Sequence, residues 1–315
     1  MIEKKTDNLT ATEFVLTGFP GLTDQQYWLS LPFFIFFVLI ILGNAAILFV
    51  ISTEPCLHEP MYIFIFILAL TDIIPGMSIL PQLLIILWTD SNTIGFDACF
   101  VQMFLTNFSG AMESSLLLLM AYDRYIAVCK PLRYSSIVTN AFVLKGSLLI
   151  LCRSFCFVLP IPILARMLSY CSVRNIPNAY CEYLAVIKIT CSKSVASDIY
   201  QFTLIFFLVI PDAVMIGISY YMILRTALML GSSACKKALN TCSSHFFVIL
   251  FFYLTGILSL LVYFFENIFP PYLRALFSVL YICIPPTLNP IIYGIRTKEI
   301  RRSIINHFRN VKMDF

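Results

Sequence analysis

Charge is what this chain has least of. Asp, Glu, Lys and Arg make up 12% of its 315 residues against 60% hydrophobic, a balance that excludes a water-soluble domain of this size. The ten-residue alternating segments of an outer-membrane barrel are missing as well. Internal repeats with paired broken helices, which a transporter ordinarily shows, do not appear, nor do the polar rings on several helices that a channel needs. Asp72, Glu113 and His245 are titratable, but no metal-ligand pair or nucleophile elbow accompanies them, so an enzyme is not expected. No nucleic-acid partner is expected. The N-terminus lacks the short apolar stretch and small-residue site of a cleaved leader, so the first span is expected to target the chain to the membrane.

What the chain does have is long apolar runs. A membrane-crossing helix needs about 20 mostly apolar residues, and seven windows supply them near 29 to 52, 61 to 86, 98 to 129, 142 to 168, 197 to 228, 238 to 266 and 272 to 294. Each can close its backbone hydrogen bonds internally, as lipid requires. The expected fold is an all-α membrane protein: a seven-transmembrane helix bundle over 29–294, an extracellular N-terminus over 1–28, and a cytoplasmic tail over 295–315 with a short amphipathic helix.

Orientation follows from Lys and Arg. An external N-terminus places thirteen on cytoplasmic segments (Arg124, Lys130, Arg133, Lys145, Arg225, Lys236, Lys237, Arg296, Lys298, Arg301, Arg302, Arg309 and Lys312). Seven lie outside (Lys4, Lys5, Arg166, Arg174, Lys188, Lys193 and Arg274), with Arg153 inside a span. The first inner loop, with Glu54, Glu59 and His58, runs against this bias, so the later loops decide. Asn8-Leu9-Thr10 fits a glycan acceptor on the outer side; Asn107-Phe108-Ser109 fits too but falls within a span.

Eleven cysteines cannot all pair. Cys56, Cys129, Cys235 and Cys242 face the reducing side, and Cys152, Cys156 and Cys283 lie in spans as small buried hydrophobes. The outer face keeps Cys99, Cys171, Cys181 and Cys191, which allow three pairings. A bridge from Cys99 to the long loop between helices four and five would pin that loop over the bundle as a lid, with ~3 to 5 kcal/mol of stabilisation.

Six stretches in order then resemble a rhodopsin-like G-protein-coupled receptor, and within that family an olfactory receptor. They are Gly43-Asn44, Leu57-His58-Glu59-Pro60-Met61-Tyr62, Leu68-Ala69-Leu70-Thr71-Asp72, Met120-Ala121-Tyr122-Asp123-Arg124-Tyr125, Ser219-Tyr220 with the helix-six opening Lys237 to His245, and Pro285 to Tyr293. Thr17-Gly18-Phe19-Pro20-Gly21-Leu22 and the tail Arg296-Thr297-Lys298-Glu299-Ile300-Arg301 resemble the class I, fish-like branch. The resemblance implies Cys99–Cys181 and Cys171–Cys191 disulfides, a plasma-membrane odorant receptor, and a stimulatory G protein that raises cyclic AMP. A chemosensory or other small-molecule receptor of the same fold, acting outside the olfactory epithelium, is the alternative.

Roles follow residue by residue. Arg124, permanently charged with five donors, is expected to alternate between Asp123 and a coupled helix beside Tyr220 and Tyr293; a static ion pair with Asp123 is the plainer reading. Tyr125 completes that motif. Pro290, in Asn289-Pro290-Ile291-Ile292-Tyr293, removes a donor and kinks helix seven so that Tyr293 can swing. A carboxylate inside a span costs about 2.5 to 3.5 kcal/mol. The resemblance implies a sodium ion at Asp72 as an allosteric ligand, with Asn289 and Asn44 as neighbours. Glu113, three turns before Arg124, could supply a second oxygen; a proton shared between the two acids is the competing account. Asp212 and Arg153 are expected to find local partners.

By the same resemblance, a small-molecule pocket is lined by Met103, Thr106, Asn107, Gly110, Leu184, Leu204, Leu208, Ile257, Leu260 and Phe264. Thr106 and Asn107 are its polar handles. The stretch Leu261-Val262-Tyr263-Phe264-Phe265 has no Arg where some class I relatives hold a carboxylic acid, so a mostly apolar, neutral ligand is expected, although Arg274 at the outer end of helix seven could rescue an acidic one. The basic tail from Arg296 to Arg309 is expected to lie on membrane lipid.

Overall fold

The computed structural model describes residues 13–22, 26–89, 91–170, 174–191, 195–265 and 267–311; for 26, 195–198, 201, 232–241 and 308–311 only the backbone is described. Asn8 and Cys171 lie outside these residues, as do the side chains of most of the helix-six motif. Among the described residues seven helices are long and apolar enough to cross a membrane. They are α1 (Gln26–Thr53), α2 (Pro60–Thr89), α3 (Phe96–Cys129), α4 (Asn140–Arg166), α5 (Val195–Leu204, a π turn Ile205–Val209, then Ile210–Met229), α6 (Ser232–Phe264) and α7 (Pro271–Arg296). A tail helix α8 (Lys298–Val311) follows. Leu42, Leu149, Phe206 and Met229 stand exposed on the outside, where a water-soluble bundle would be polar, so the bundle's surroundings are lipid.

Two helices expected as single runs are interrupted. Pro160 has no N–H for the Cys156 carbonyl, so α4 breaks at Leu159 into Asn140–Val158 and Pro160–Arg166. In α5, Pro211 likewise cannot donate to the Phe207 carbonyl, and the preceding turn widens to π. Arg153 Nη2 reaches the Phe207 and Leu208 carbonyls at 3.4 and 3.3 Å, which partners the groups the widened turn frees. Cys152 and Cys156 face outward rather than into the core, while Cys283 is buried.

The end of the bundle that carries the chain's first residues is roofed by a small sheet that the sequence reading did not foresee. β1 (Glu13–Leu16) is the central strand, antiparallel to β2 (Thr93–Gly95) and parallel to β3 (Asn175–Ile176). Strands of two to four residues show no readable period. What fixes β1 is burial: Phe14 and Leu16 are fully enclosed, Phe14 packing on Phe96 and Tyr170 at 5.3 and 5.2 Å between ring centres. The expected Cys99–Cys181 disulfide is formed across 82 residues, a closure that contributes about 4 to 5 kcal/mol in the chain-entropy account. Gln102 adds to it, accepting the Cys181 N–H at 2.9 Å and donating to the Ser78 carbonyl at 2.6 Å. Cys191 is disulfide-bonded as well.

At the opposite end α8 lays Ile300, fully buried, into the cluster that holds Ile47, Val50 and Leu57. His307 Nδ1 lies 3.5 Å from Glu54 Oε1.

Candidate functional site

Beneath the roof a cavity of about 220 Å³ opens between α3, α5, α6 and α7. Eight expected residues line it: Thr106, Asn107, Gly110, Leu184, Leu204, Leu208, Ile257 and Leu260. Met103 and Phe264 do not. Met103 is fully enclosed among Phe100, Cys99 and Val158, where apolar packing claims it. Phe264 turns outward and stacks on Phe202, 5.9 Å between ring centres, leaving its neighbour Tyr263 to line the wall. Glu182, Tyr253 and Tyr281 also line the cavity without having been singled out. Tyr253 lies one turn before Ile257, so helical spacing could have found it.

The two polar handles are partly committed. Thr106 Oγ1 donates to the Gln102 carbonyl at 2.9 Å and Asn107 Nδ2 to the Met103 carbonyl at 2.8 Å. Glu182 receives a hydrogen bond from Asn178 Nδ2, and Asn178 in turn meets Ser278 Oγ of α7 at 3.3 Å. Burial raises the Glu182 carboxyl to about 7, against the pull of Asn178 and of the positive Lys188 and Arg274.

Behind the cavity wall, Arg153 and Asp212 pair at 2.8 Å, joining α4 to α5 as local partners. Ser114 and Ser115 of α3 each donate to Asp212 Oδ2 at 3.1 Å, and Tyr253 of α6 meets Ser114 at 3.2 Å. Three helices therefore meet at one carboxylate, and α6 joins them through Ser114.

Lower in the bundle Asn289 Nδ2 bridges the two acids, reaching Asp72 Oδ2 at 2.9 Å and Glu113 Oε1 at 3.0 Å. Asp72 Oδ1 and Asn289 Oδ1 are buried without a hydrogen-bond partner. Two orphaned oxygens beside a second carboxylate are a donor set that fits a hard monovalent cation. Asn44 is not turned to them. It donates to the Ile40 and Pro286 carbonyls at 2.9 and 3.0 Å, because Pro290 leaves the Pro286 carbonyl without its helical donor.

At the α8 end Arg124 Nε lies 3.3 Å from Asp123 Oδ2, and Tyr134 in the loop after α3 donates to Asp123 Oδ1 at 2.8 Å. Burial and the adjacent Asp123 push the Tyr134 hydroxyl upward, so it keeps the proton it donates. Tyr220 meets His245 Nδ1 at 2.9 Å. Tyr293 is buried with its hydroxyl unpartnered. Tyr125 stands apart from this set, under Lys130 Nζ at 5.6 Å.

The fold has a solved counterpart in squid rhodopsin, with a TM-score of 0.74 over 91% of this chain and 86% of that one at 16% identity. The family model "Olfactory receptor" matches residues 33–311. Olfactory receptor 56A5 of Homo sapiens is 40% identical over 95% of this chain and 96% of its own length. Olfactory receptor 51G1 of Homo sapiens is 41% identical over 97% and 95%. These relatives are receptors and not enzymes. The chain belongs to the olfactory receptor family.

Proposed function

We propose that this receptor binds a small, mostly apolar, neutral ligand in the roofed cavity and, from the plasma membrane with its N-terminus outside, activates a stimulatory G protein that raises cyclic AMP. The observation that carries the ligand class is the cavity itself. An apolar cavity of about 150 Å³ takes benzene, and drug-sized ligands need at least about 300 Å³; 220 Å³ therefore suits a ring with a few further atoms. Its walls from α5 and α6 are largely apolar, and Phe264, which faces away, offers no charge to an acid.

A ligand that prefers the state with α6 moved outward shifts the equilibrium by its differential affinity alone. Arg124 then exchanges Asp123 for Tyr220, Tyr293 and the helix that the G protein supplies, and α8 rests on the inner leaflet. Asp72, Glu113 and Asn289 would hold a sodium ion, which supplies positive charge among the acids and favours the inactive state. The unpartnered Asp72 and Asn289 oxygens support that reading, and a shared proton remains its rival.

Cells expressing the parent and an Arg124→Ala variant at equal surface level, given an odorant panel, test this. Ligand-dependent cyclic AMP in the parent alone is expected; equal signal in both defeats the role of Arg124, and a response confined to acids defeats the neutral ligand. Detection of the transcript outside olfactory tissue would favour a wider chemosensory role.

A further inference from the structure

We propose that the ligand is an alcohol whose hydroxyl donates to Glu182, so that this carboxylate in the roof selects the head group. The inference rests on the cavity being the ligand site.

Beside the tyrosines Tyr253, Tyr263 and Tyr281, the lining supplies acceptors. Thr106 and one amide hydrogen of Asn107 are spent on carbonyls of their own helix, which leaves the Thr106 and Asn107 side-chain oxygens as acceptors. Glu182 lines the same space, and above about pH 7, where it is ionised, a carboxylate has about four acceptor positions, of which Asn178 takes one at Oε2. A ketone or ester brings no donor to that carboxylate. An acid adds a like charge.

Glu182 is also held in place before any ligand arrives. Its neighbour Cys181 is bonded to Cys99 of α3 and hydrogen-bonded to Gln102, and Asn178 ties the carboxylate to Ser278 of α7. A pre-positioned acceptor gains selectivity at little ordering cost. The positive Lys188 and Arg274 already act on this carboxyl, so a cationic amine would meet their repulsion whereas a hydroxyl would not.

The test uses the purified full chain at about pH 8.5, where Glu182 is ionised, and ligand-induced thermal stabilisation, which does not depend on the G protein. Cyclohexyl and straight-chain skeletons are each supplied as the alcohol, the methyl ketone, the primary amine and the carboxylic acid. The alcohol is expected to bind best in the parent, and Glu182→Gln, which keeps the shape but not the charge, to weaken it by about tenfold while leaving the ketone unchanged. A ketone, amine or acid that matches or exceeds its alcohol in the parent overturns the assignment whether or not the variant folds. An unchanged alcohol affinity in a folded Glu182→Gln receptor overturns it too. Failure of every skeleton to bind the parent defeats instead the reading of the cavity as the ligand site.

Discussion

Asn44 of α1 completes α7 at the carbonyl of Pro286. Pro290 would be the helical donor to that carbonyl and has no N–H; Asn44 Nδ2 supplies the hydrogen from 3.0 Å. Gly43 lets the helices come this close, since a Cβ there would lie 2.9 Å from Pro290 Cγ. The Gly-Asn pair of α1 and the Asn-Pro pair of α7, which read in sequence as separate motifs, are two halves of one joint.

Removing the donor alone should therefore cost stability. Asn44→Ala strands a buried carbonyl and is expected to lower stability by about 1–3 kcal/mol. In a Pro290→Ala background the restored N–H takes over, so the same substitution should cost less. A double-mutant cycle in thermal unfolding measures the difference, and equal costs in both backgrounds would show that the carbonyl was not the reason.

Arg153 plays the same part for α5 and carries a charge as well. Breaking one partner of a buried pair costs about 3–5 kcal/mol. Because a quarter of the Arg153 side chain stays accessible, Arg153→Met is expected near the lower end, about 3 kcal/mol, with Asp212 left buried between Ser114 and Ser115. Adding Asp212→Leu should recover most of the loss. A double variant no more stable than the single would refute this.

Gly256 of α6 sets the depth of the cavity. A Cβ there would lie 3.3 Å from Tyr281 Cε2, so Gly256→Ala is expected to press on the Tyr281 ring. The preferred ligand should become smaller by about one methylene, worth 1–3 kcal/mol in a closed apolar site. Dose–response curves for a homologous series of alcohols would reveal the shift, and an unchanged optimum would argue that Tyr281 moves aside freely.

The roof should respond to pH through Glu182. Its carboxyl is raised from the ordinary 4.5 to about 7 by burial, so the folded protein keeps a proton that the unfolded chain has released. The stabilisation is fully present below about 4.5 and is lost as pH rises through about 7. Thermal midpoints of the parent, less those of Glu182→Gln, are expected to fall across that window. A flat difference would mean that Glu182 is ionised throughout.

Helices were legible because twenty-residue apolar runs have few alternatives in lipid. Eight of the ten residues that family resemblance named line one cavity, since α3, α5 and α6 present one face each. The departures from that set have local causes. Met103 and Phe264 sit at helical spacing that fits the cavity, but spacing leaves a residue some freedom of angle, and packing among Phe100 and Phe202 decided it. Family resemblance placed Asn44 beside Asp72; the hydrogen that Pro290 lacks turns it to the Pro286 carbonyl instead. The roof sheet and the part of Glu182 in the wall depend on contacts between distant segments, which no local pattern reports.

That roof also says something about how the receptor is made. Its central strand is synthesised first, yet Thr17 finds its acceptor, the Ile176 carbonyl, 159 residues later, after α3 and α4 have been laid down. Loop closure over that span precedes the contacts that reward it. During synthesis, then, all three strands of the ceiling are laid down before α5, α6 and α7, and the roof can close over a chamber whose remaining walls have yet to be made.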